Sequence, residues 1–327
     1  MSNTKIKIPD PRFWKDKKVL ITGGSGFLGK QIVSRLDPVA KKVVVPHKRE
    51  YNFINFTDAL KCMEVNKPDI VIHSAAFYGG IWINKLYPGQ IFYENLSMGL
   101  NVMEAARLVG VKKYTTVGTA CSYPGHLENA LEEKDFWAGI THDSVINYGL
   151  PKRILQIQGV VYKRQYDFNS IHVILTNLYG PGDSYNPDRS HVIAALVRKF
   201  VEAYQSKSPT VEVWGTGKPI REFLYIEDAA EGIIRATEVY NDTEPLNIAH
   251  GKGTTIKELA GTIKAILGYK GKIVWNTSKP DGQKIKYLST EKMKKMLRWQ
   301  PKVKLEEGLK KTIKWYMANK DKADARF

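Results

Sequence analysis

The sequence predicts an α/β fold: a doubly wound parallel sheet followed by a smaller C-terminal α/β lobe. Three observations predict it. From residue 17, short β-branched runs alternate with longer amphipathic segments, the pattern of βαβ units and a parallel sheet. The first run passes straight into a glycine-rich turn, TGGSGFLG. After residue 180 the alternation loses its regularity, which marks the second lobe.

The elements follow in order. KKVLIT reads as a strand and GFLGKQIVSRL as the helix after it; KKVVVP is the second strand, TDALKCMEV a helix and DIVIHSA the third strand. A long helical segment near residues 88 to 110 leads to the strand KKYTTVG. A helix then begins at Tyr148, and IHVILTNLYG follows as a strand. Beyond it come HVIAALVRKFVEAY (helix), TVEVWG (strand), IEDAAEGIIRATEVY (helix), PLNIAH (strand) and basic C-terminal helices. There are no internal repeats or low-complexity tracts.

Composition narrows the class. The 327 residues are 43% hydrophobic, enough for one large or two modest domains with a real core. The opening MSNTKIKIPDPRFWKDKK has no apolar h-region, and no stretch offers the roughly 18 apolar residues of a membrane span. Cys62 and Cys121 are too few for a disulfide framework and lack metal-site spacing, so a soluble, cytoplasmic protein without a metal is expected. The net charge is +17, and residues 251–327 carry 20 Lys and Arg against 7 Asp and Glu. Stretches such as EKMKKMLRW and LEEGLKKTIKWYM place those lysines opposite apolar residues at helical spacing, the pattern of a solvated helix face. No nucleic-acid motif accompanies the charge, so neither nucleic acid nor membrane is an expected partner.

The glycine turn carries the first functional signal. Gly23, Gly26 and Gly29 form GxxGxxG between a strand and a helix, where small residues let backbone amides approach a pyrophosphate. That context predicts a Rossmann-type dinucleotide site. Residues 1–180 then form mainly the dinucleotide-binding domain, and 181–327 mainly the lobe for the second ligand, with some interleaving. At the end of the second strand, PHKREYN puts Lys48 and Arg49 where a carboxylate for a 2'-hydroxyl is otherwise expected. These cations favour NADP(H) over NAD(H), although Glu50 stands beside them.

YGLPK places Tyr148 and Lys152 four residues apart, on one helix face. Such a pair occurs by chance in many chains. Its chemical content is that a nearby ammonium favours phenolate and lowers a tyrosine pKa, making the phenol usable in carbonyl chemistry.

TGGSGFLG, HSAA, Thr119 and YGLPK together resemble the extended short-chain dehydrogenases/reductases. More narrowly, AAFYGGIWINKLYP, VGTACSYP, TNLYGPGDSYNPDRSHVIAAL, VWGTGKPIREFLYIEDAA and KPDGQKIK resemble the GDP-L-fucose synthase family of GDP-4-keto-6-deoxymannose epimerase-reductases, over residues 17 to 318. The resemblance implies a GDP-sugar substrate, an NADP cofactor and a homodimer. It makes Tyr148 the proton donor to the sugar C4 oxygen, Lys152 its ribose-binding partner, and Thr119 the hydroxyl group, at a position where serine is commoner. The cofactor would be held by Gly23, Gly24, Ser25, Gly26, Phe27, Leu28, Gly29, Ala75, Ala76, Tyr148, Lys152, Asn177 and His191, with Lys48 and Arg49 at its 2'-phosphate.

The family's epimerisation pair maps onto Cys121 and His191. A C4 ketone acidifies the protons at C3 and C5, so inversion needs one group to take a proton and another to return it from the opposite face. A thiol and an imidazole titrate near enough to neutrality for this. Alone, each has a plainer explanation: a small buried cysteine, or a histidine packing or capping a helix. On the substrate side the resemblance selects Asn177, Lys199, Trp214, Arg221, Asp281 and Lys286. Lys199 stands for an arginine, with loss of bidentate phosphate geometry, and Ile285 also stands where the family commonly has arginine. Other nucleotide-sugar chemistry stays open, including a 4-ketoreductase or an enzyme of GDP-heptoses. Dehydration is disfavoured because Ala120 and Cys121, not an acid pair, follow Thr119.

Overall fold

The computed structural model describes residues 7–187 and 190–324. Five strands alternate with helices as the sequence predicts: β1 (Lys18–Thr22), β2 (Lys42–Val44), β3 (Ile70–His73), β4 (Lys113–Thr119) and β5 (Ser170–Leu175). The chain continues through β6 (Asn177–Tyr179), β7 (Thr210–Trp214), β8 (Ile220–Tyr225), β9 (Leu246–Ile248), β10 (Gly253–Thr255), β11 (Lys272–Asn276) and β12 (Ile285–Lys286).

The large sheet has the order β2-β1-β3-β4-β5-β9, and all its pairings are parallel. Its strands are covered on both faces, which is why β1 reads as an unbroken apolar run: Val19, Leu20 and Ile21 are fully buried. One face packs Ile32 and Leu36 of the Phe27–Leu36 helix against Ala229, Ile233 and Ile234 of the Ile226–Val239 helix. The other packs Cys62, Val102, Met103, Tyr114 and Leu155. There the Pro88–Leu108 and Ile146–Tyr166 helices approach closely at Gly99, where a Cβ would lie 2.3 Å from Leu155 Cδ1. Strand order reverses between β1 and β3. A crevice therefore opens at their carboxyl ends, the position at which doubly wound sheets bind ligands.

IHVILTNLYG, one strand in the sequence reading, is divided between two sheets. β5 stays in the large sheet, while β6 pairs with β8. Thr176 sits between them and donates its hydroxyl to the Glu222 carbonyl at 3.1 Å, so the break is itself hydrogen-bonded. β8 also pairs with β10 and β12, and β7 pairs with β11. Tyr185, Phe200, Val213, Ile263 and Tyr316 form the separate core of this smaller lobe. The Ile226–Val239 helix and β9 return from it to the large sheet, so the two layers interleave.

The basic C-terminal helices have the solvated faces expected of them. Leu309, Ile313 and Tyr316 are buried, while Lys310 and Lys311 pair at 2.7 Å with Glu306 and Glu307 one turn away. At the other end of the chain, Trp14 is fully buried and donates its indole N–H to Glu238 at 2.7 Å. Among the described residues no helix is long and apolar enough to cross a membrane.

Candidate active site

The crevice is shaped by glycines where backbone must touch backbone. Gly23 has φ +69°, and a Cβ on it would meet the Ala75 backbone at 2.9 Å. Gly29 carries the same constraint from the helix side, its Cβ falling 2.1 Å from the Gly23 carbonyl. Thr22 Oγ1 lies 2.9 Å from His73 Nδ1 and accepts the Ala75 N–H at 3.2 Å, tying the ends of β1 and β3 together. Gly26 caps the Phe27–Leu36 helix without a side-chain bond, so the first-turn amides of Phe27 and Leu28 have no intrahelical acceptor and suit an anion.

A cavity of about 350 Å³ opens beside this turn, lined among others by Gly23, Ser25, His47, Lys48, Asn52, Ala75 and Ala76. Glycine backbone at one end and the Lys48 ammonium at the other fit a dinucleotide with a phosphorylated ribose. Lys48 is half held by Glu94, 3.6 Å away. Arg49 is exposed and outside the lining residues. His47 and Asn52 do line the cavity. Sequence reasoning passed over them, although both sit in the quoted strand-end loop.

YGLPK is drawn to the carboxyl end of β4 by its glycine. A Cβ on Gly149 would lie 2.2 Å from the Cys121 carbonyl oxygen, and Ser122 Oγ donates to the Gly149 carbonyl at 2.8 Å. The Ile146–Tyr166 helix therefore rests directly on the turn after β4. There Thr119 Oγ1 accepts the Cys121 N–H at 3.2 Å. Lys152, 2% exposed, donates to the Ala75 carbonyl at 3.3 Å, which joins the helix to the cofactor crevice. Burial lowers the Lys152 ammonium to about 8.

The expected lowering of the Tyr148 phenol is not what this structure has. Burial pushes it up, and the neighbouring Cys121 and Tyr78 add to the shift. The physical reason is that Lys152 directs its ammonium to Ala75, while desolvation penalises the phenolate.

His191 occupies the cap position of the Val192–Gln205 helix without making a side-chain capping bond. Its ring lies parallel to that of Tyr78, with centroids 6.0 Å apart. Burial lowers its pKa, so the imidazole is neutral at physiological pH. Tyr78 was not singled out from the sequence. The signal available was an aromatic pair before two glycines just beyond β3. Asp188 and Arg189, within the motif that leads to His191, lie outside the described residues.

The smaller lobe closes the other side. Lys286 Nζ lies 3.4 Å from Cys121 Sγ, and Arg221 stands at the same register on the paired strand β8. Burial lowers the Arg221 guanidinium, with Cys121 and Asp281 acting against that shift. Asn177 donates to the Glu222 carbonyl at 2.9 Å. Asp281, although exposed, binds Thr216 through its backbone N–H and its hydroxyl, both at 2.7 Å. Trp214 is 59% exposed and carries Lys199 and Lys279 over its ring at 5.1 and 5.3 Å. Lys199, which also donates to the Glu212 carbonyl at 3.1 Å, belongs with Trp214. Thr119, Cys121, Tyr148, Arg221 and Lys286 thus share one neighbourhood, and Tyr78 links Tyr148 to His191.

Chains of known kind have the same organisation. A probable GDP-L-fucose synthase of Oryza sativa subsp. japonica is 37% identical, over 95% of this chain and 96% of its own. The GDP-L-fucose synthase of Escherichia coli is 34% identical, over 94% and 98%. Among solved structures, a GDP-L-fucose synthetase from Naegleria fowleri bound to NADP superposes with a TM-score of 0.86 at 29% identity, covering 95% of both chains. A GDP-6-OMe-4-keto-L-xylo-heptose reductase from C. jejuni also gives 0.86, at 27% identity, covering 93% of this chain and 99% of its own. Residues 19–249 match the profile of the NAD dependent epimerase/dehydratase family, and the chain belongs to that family.

Proposed function

We propose that the protein is an NADPH-dependent epimerase-reductase that converts GDP-4-keto-6-deoxymannose to a GDP-L-fucose-type sugar. The observation that carries the reading is the meeting of Tyr148, Cys121 and Lys286 beside the cofactor crevice. Two kinds of proton chemistry would then act on one ketone. Support also comes from the fucose synthases at 34–37% identity.

The cofactor would rest its pyrophosphate on Gly23, Gly24, Ser25 and the amides of Phe27 to Gly29, between Ala75, Ala76 and Asn177, with its 2'-phosphate toward His47 and Lys48. When bound, it supplies the hydride that reduces C4. The chain's own residues handle the protons. Cys121 and His191 exchange protons at C3 and C5, one removing and the other returning from the opposite face. Tyr148 and Thr119 stabilise the charge that develops on the C4 oxygen, and Tyr148 protonates that oxygen on reduction. Its raised pKa keeps the phenol a proton donor at neutral pH. Lys152 holds the nicotinamide ribose. Arg221, Lys199 and Asp281, with the Trp214 ring, would take the GDP moiety.

Reduction alone, on a GDP-linked heptose, is the second reading. It is supported by the heptose reductase structure and by Ile285, which leaves one cation fewer at the substrate side. Incubation with GDP-4-keto-6-deoxymannose and NADPH decides between them. Production of a GDP-6-deoxyhexose with inverted ring centres supports the first reading; no cofactor oxidation refutes it.

We also infer a homodimer working in the reducing cytoplasm. Ile157 and Val161, 41% and 43% exposed, form an apolar stripe one turn apart on the Ile146–Tyr166 helix, suited to a second copy. Both cysteines are free thiols. Light scattering that returns the monomer mass would refute the dimer.

A further inference from the structure

We propose that Glu94 limits the preference of this protein for a 2'-phosphorylated cofactor, because it holds Lys48 in an ion pair that the phosphate must break. The inference rests on the placement of the 2'-phosphate at Lys48 given above.

Charge in the cofactor cavity is sparse. Among the described residues that line it, Lys48 is the one lysine or arginine and Glu94 the one carboxylate. They come from different walls: Lys48 from the loop after β2, Glu94 from the Pro88–Leu108 helix. Lys48 Nζ lies 3.6 Å from Glu94 Oε2, so the pair joins the two walls.

The partners are held unequally. Beside Glu94, Asn95 Nδ2 donates to the Phe77 carbonyl at 2.8 Å and its Oδ1 accepts the Phe77 N–H at 3.0 Å, which fastens the helix to the segment after β3. Two turns beyond Glu94, Asn101 Nδ2 donates to the Phe53 and Ile54 carbonyls at 3.1 and 2.9 Å. The same helix is thereby fastened to the loop after β2. The Glu94 carboxylate also accepts from Gln90 Nε2 at 2.6 Å, one turn earlier. Its side chain is 13% exposed, against 71% for Lys48. Glu94 is therefore a fixed negative charge, and Lys48 is the partner that can swing.

The two cofactors meet this pair differently. A ribose 2'-hydroxyl is neutral and leaves the pair intact. A 2'-phosphate requires the ammonium, and the Glu94 carboxylate, itself an anion, competes for it. Preference is a difference of affinities, so the advantage of NADPH over NADH is smaller than Lys48 alone would give.

Calorimetric titration of the full-length protein with NADPH and with NADH reads both dissociation constants without turnover. Glu94→Gln removes the charge and keeps an oxygen for the Gln90 amide. It should tighten NADPH about fivefold, the scale of a partly exposed ion pair, and leave NADH unchanged. In Lys48→Ala the same substitution should bring no gain, since the contested ammonium is gone. No tightening, equal tightening of both cofactors, or a gain that persists without Lys48 overturns the proposal. Should the Gln variant not fold, Glu94→Ala carries the same test. NADPH binding that is unchanged in Lys48→Ala overturns the placement of the phosphate, and this inference with it. Weaker NADPH binding in Lys48→Ala without tightening in Glu94→Gln overturns this inference alone.

Discussion

The His191 imidazole lies parallel to the Tyr78 ring, with centroids 6.0 Å apart and 6° between their planes. Tyr78 also bears on the Tyr148 phenol, so one aromatic ring adjoins both proton-transfer groups. Tyr78→Ala should free the imidazole and lower ring-proton exchange by about a hundredfold, the usual cost of a misplaced acid or base. Cofactor affinity, measured by fluorescence titration, should stay near wild type.

Lys152 gives a pH dependence. Burial lowers its ammonium from 10.5 to about 8, so the charge is present below about pH 8 and lost above it. The kcat/KM for reduction should fall as pH rises through that value, and Lys152→Met should be slow and lack this fall. Its effect on stability has the opposite sign. Between about pH 8 and 10.5 the unfolded chain binds more protons at this site, so its contribution to stability rises with pH.

Cofactor choice is testable at Lys48. Its ammonium lines the cavity and is countered only partly by Glu94 at 3.6 Å. Lys48→Ala should raise the KM for NADPH by roughly tenfold, the loss of one charge-assisted contact, and leave the KM for NADH unchanged. Arg49→Ala, outside the cavity, should do less.

Glu222 is fully buried, and burial raises its carboxyl from 4.5 to about 7, although backbone N–H groups of residues 250–252 and Leu288 favour the anion. Between those values the folded chain binds more protons than the unfolded one, so stability falls as pH rises. Glu222→Gln abolishes this titration. The wild type should lose about 3 kcal/mol relative to the variant between pH 4.5 and pH 8, read from urea denaturation at each pH.

Far from the site, Trp14 joins the segment before β1 to Glu238. Trp14→Ala should cost about 3–5 kcal/mol, and kcat below the unfolding temperature should not change.

Where local physics decides, the sequence was readable. The parallel strands announce themselves as apolar runs, and YGLPK carries the glycine that lets its helix touch Cys121. What the sequence hid depends on residues distant in the chain. Nothing local says that Thr176 will hand the chain from one sheet to another by bonding to Glu222, 46 residues on. Likewise nothing in KPDGQKIK puts Lys286 on the Cys121 sulfur. The Tyr148 shift was misjudged for a related reason: spacing gives the face that Lys152 shares, but only the fold gives the carbonyl that receives its ammonium and the burial that dominates.

One site is proposed both to exchange ring protons and to reduce C4. The most direct measurement is NMR of the product formed from GDP-4-keto-6-deoxymannose and NADPH in heavy water. Deuterium at C3 and C5 together with reduction at C4 is expected, the deuterium lost and the reduction kept in Cys121→Ser and His191→Asn. A reduced product without ring deuterium from the wild-type enzyme would contradict it.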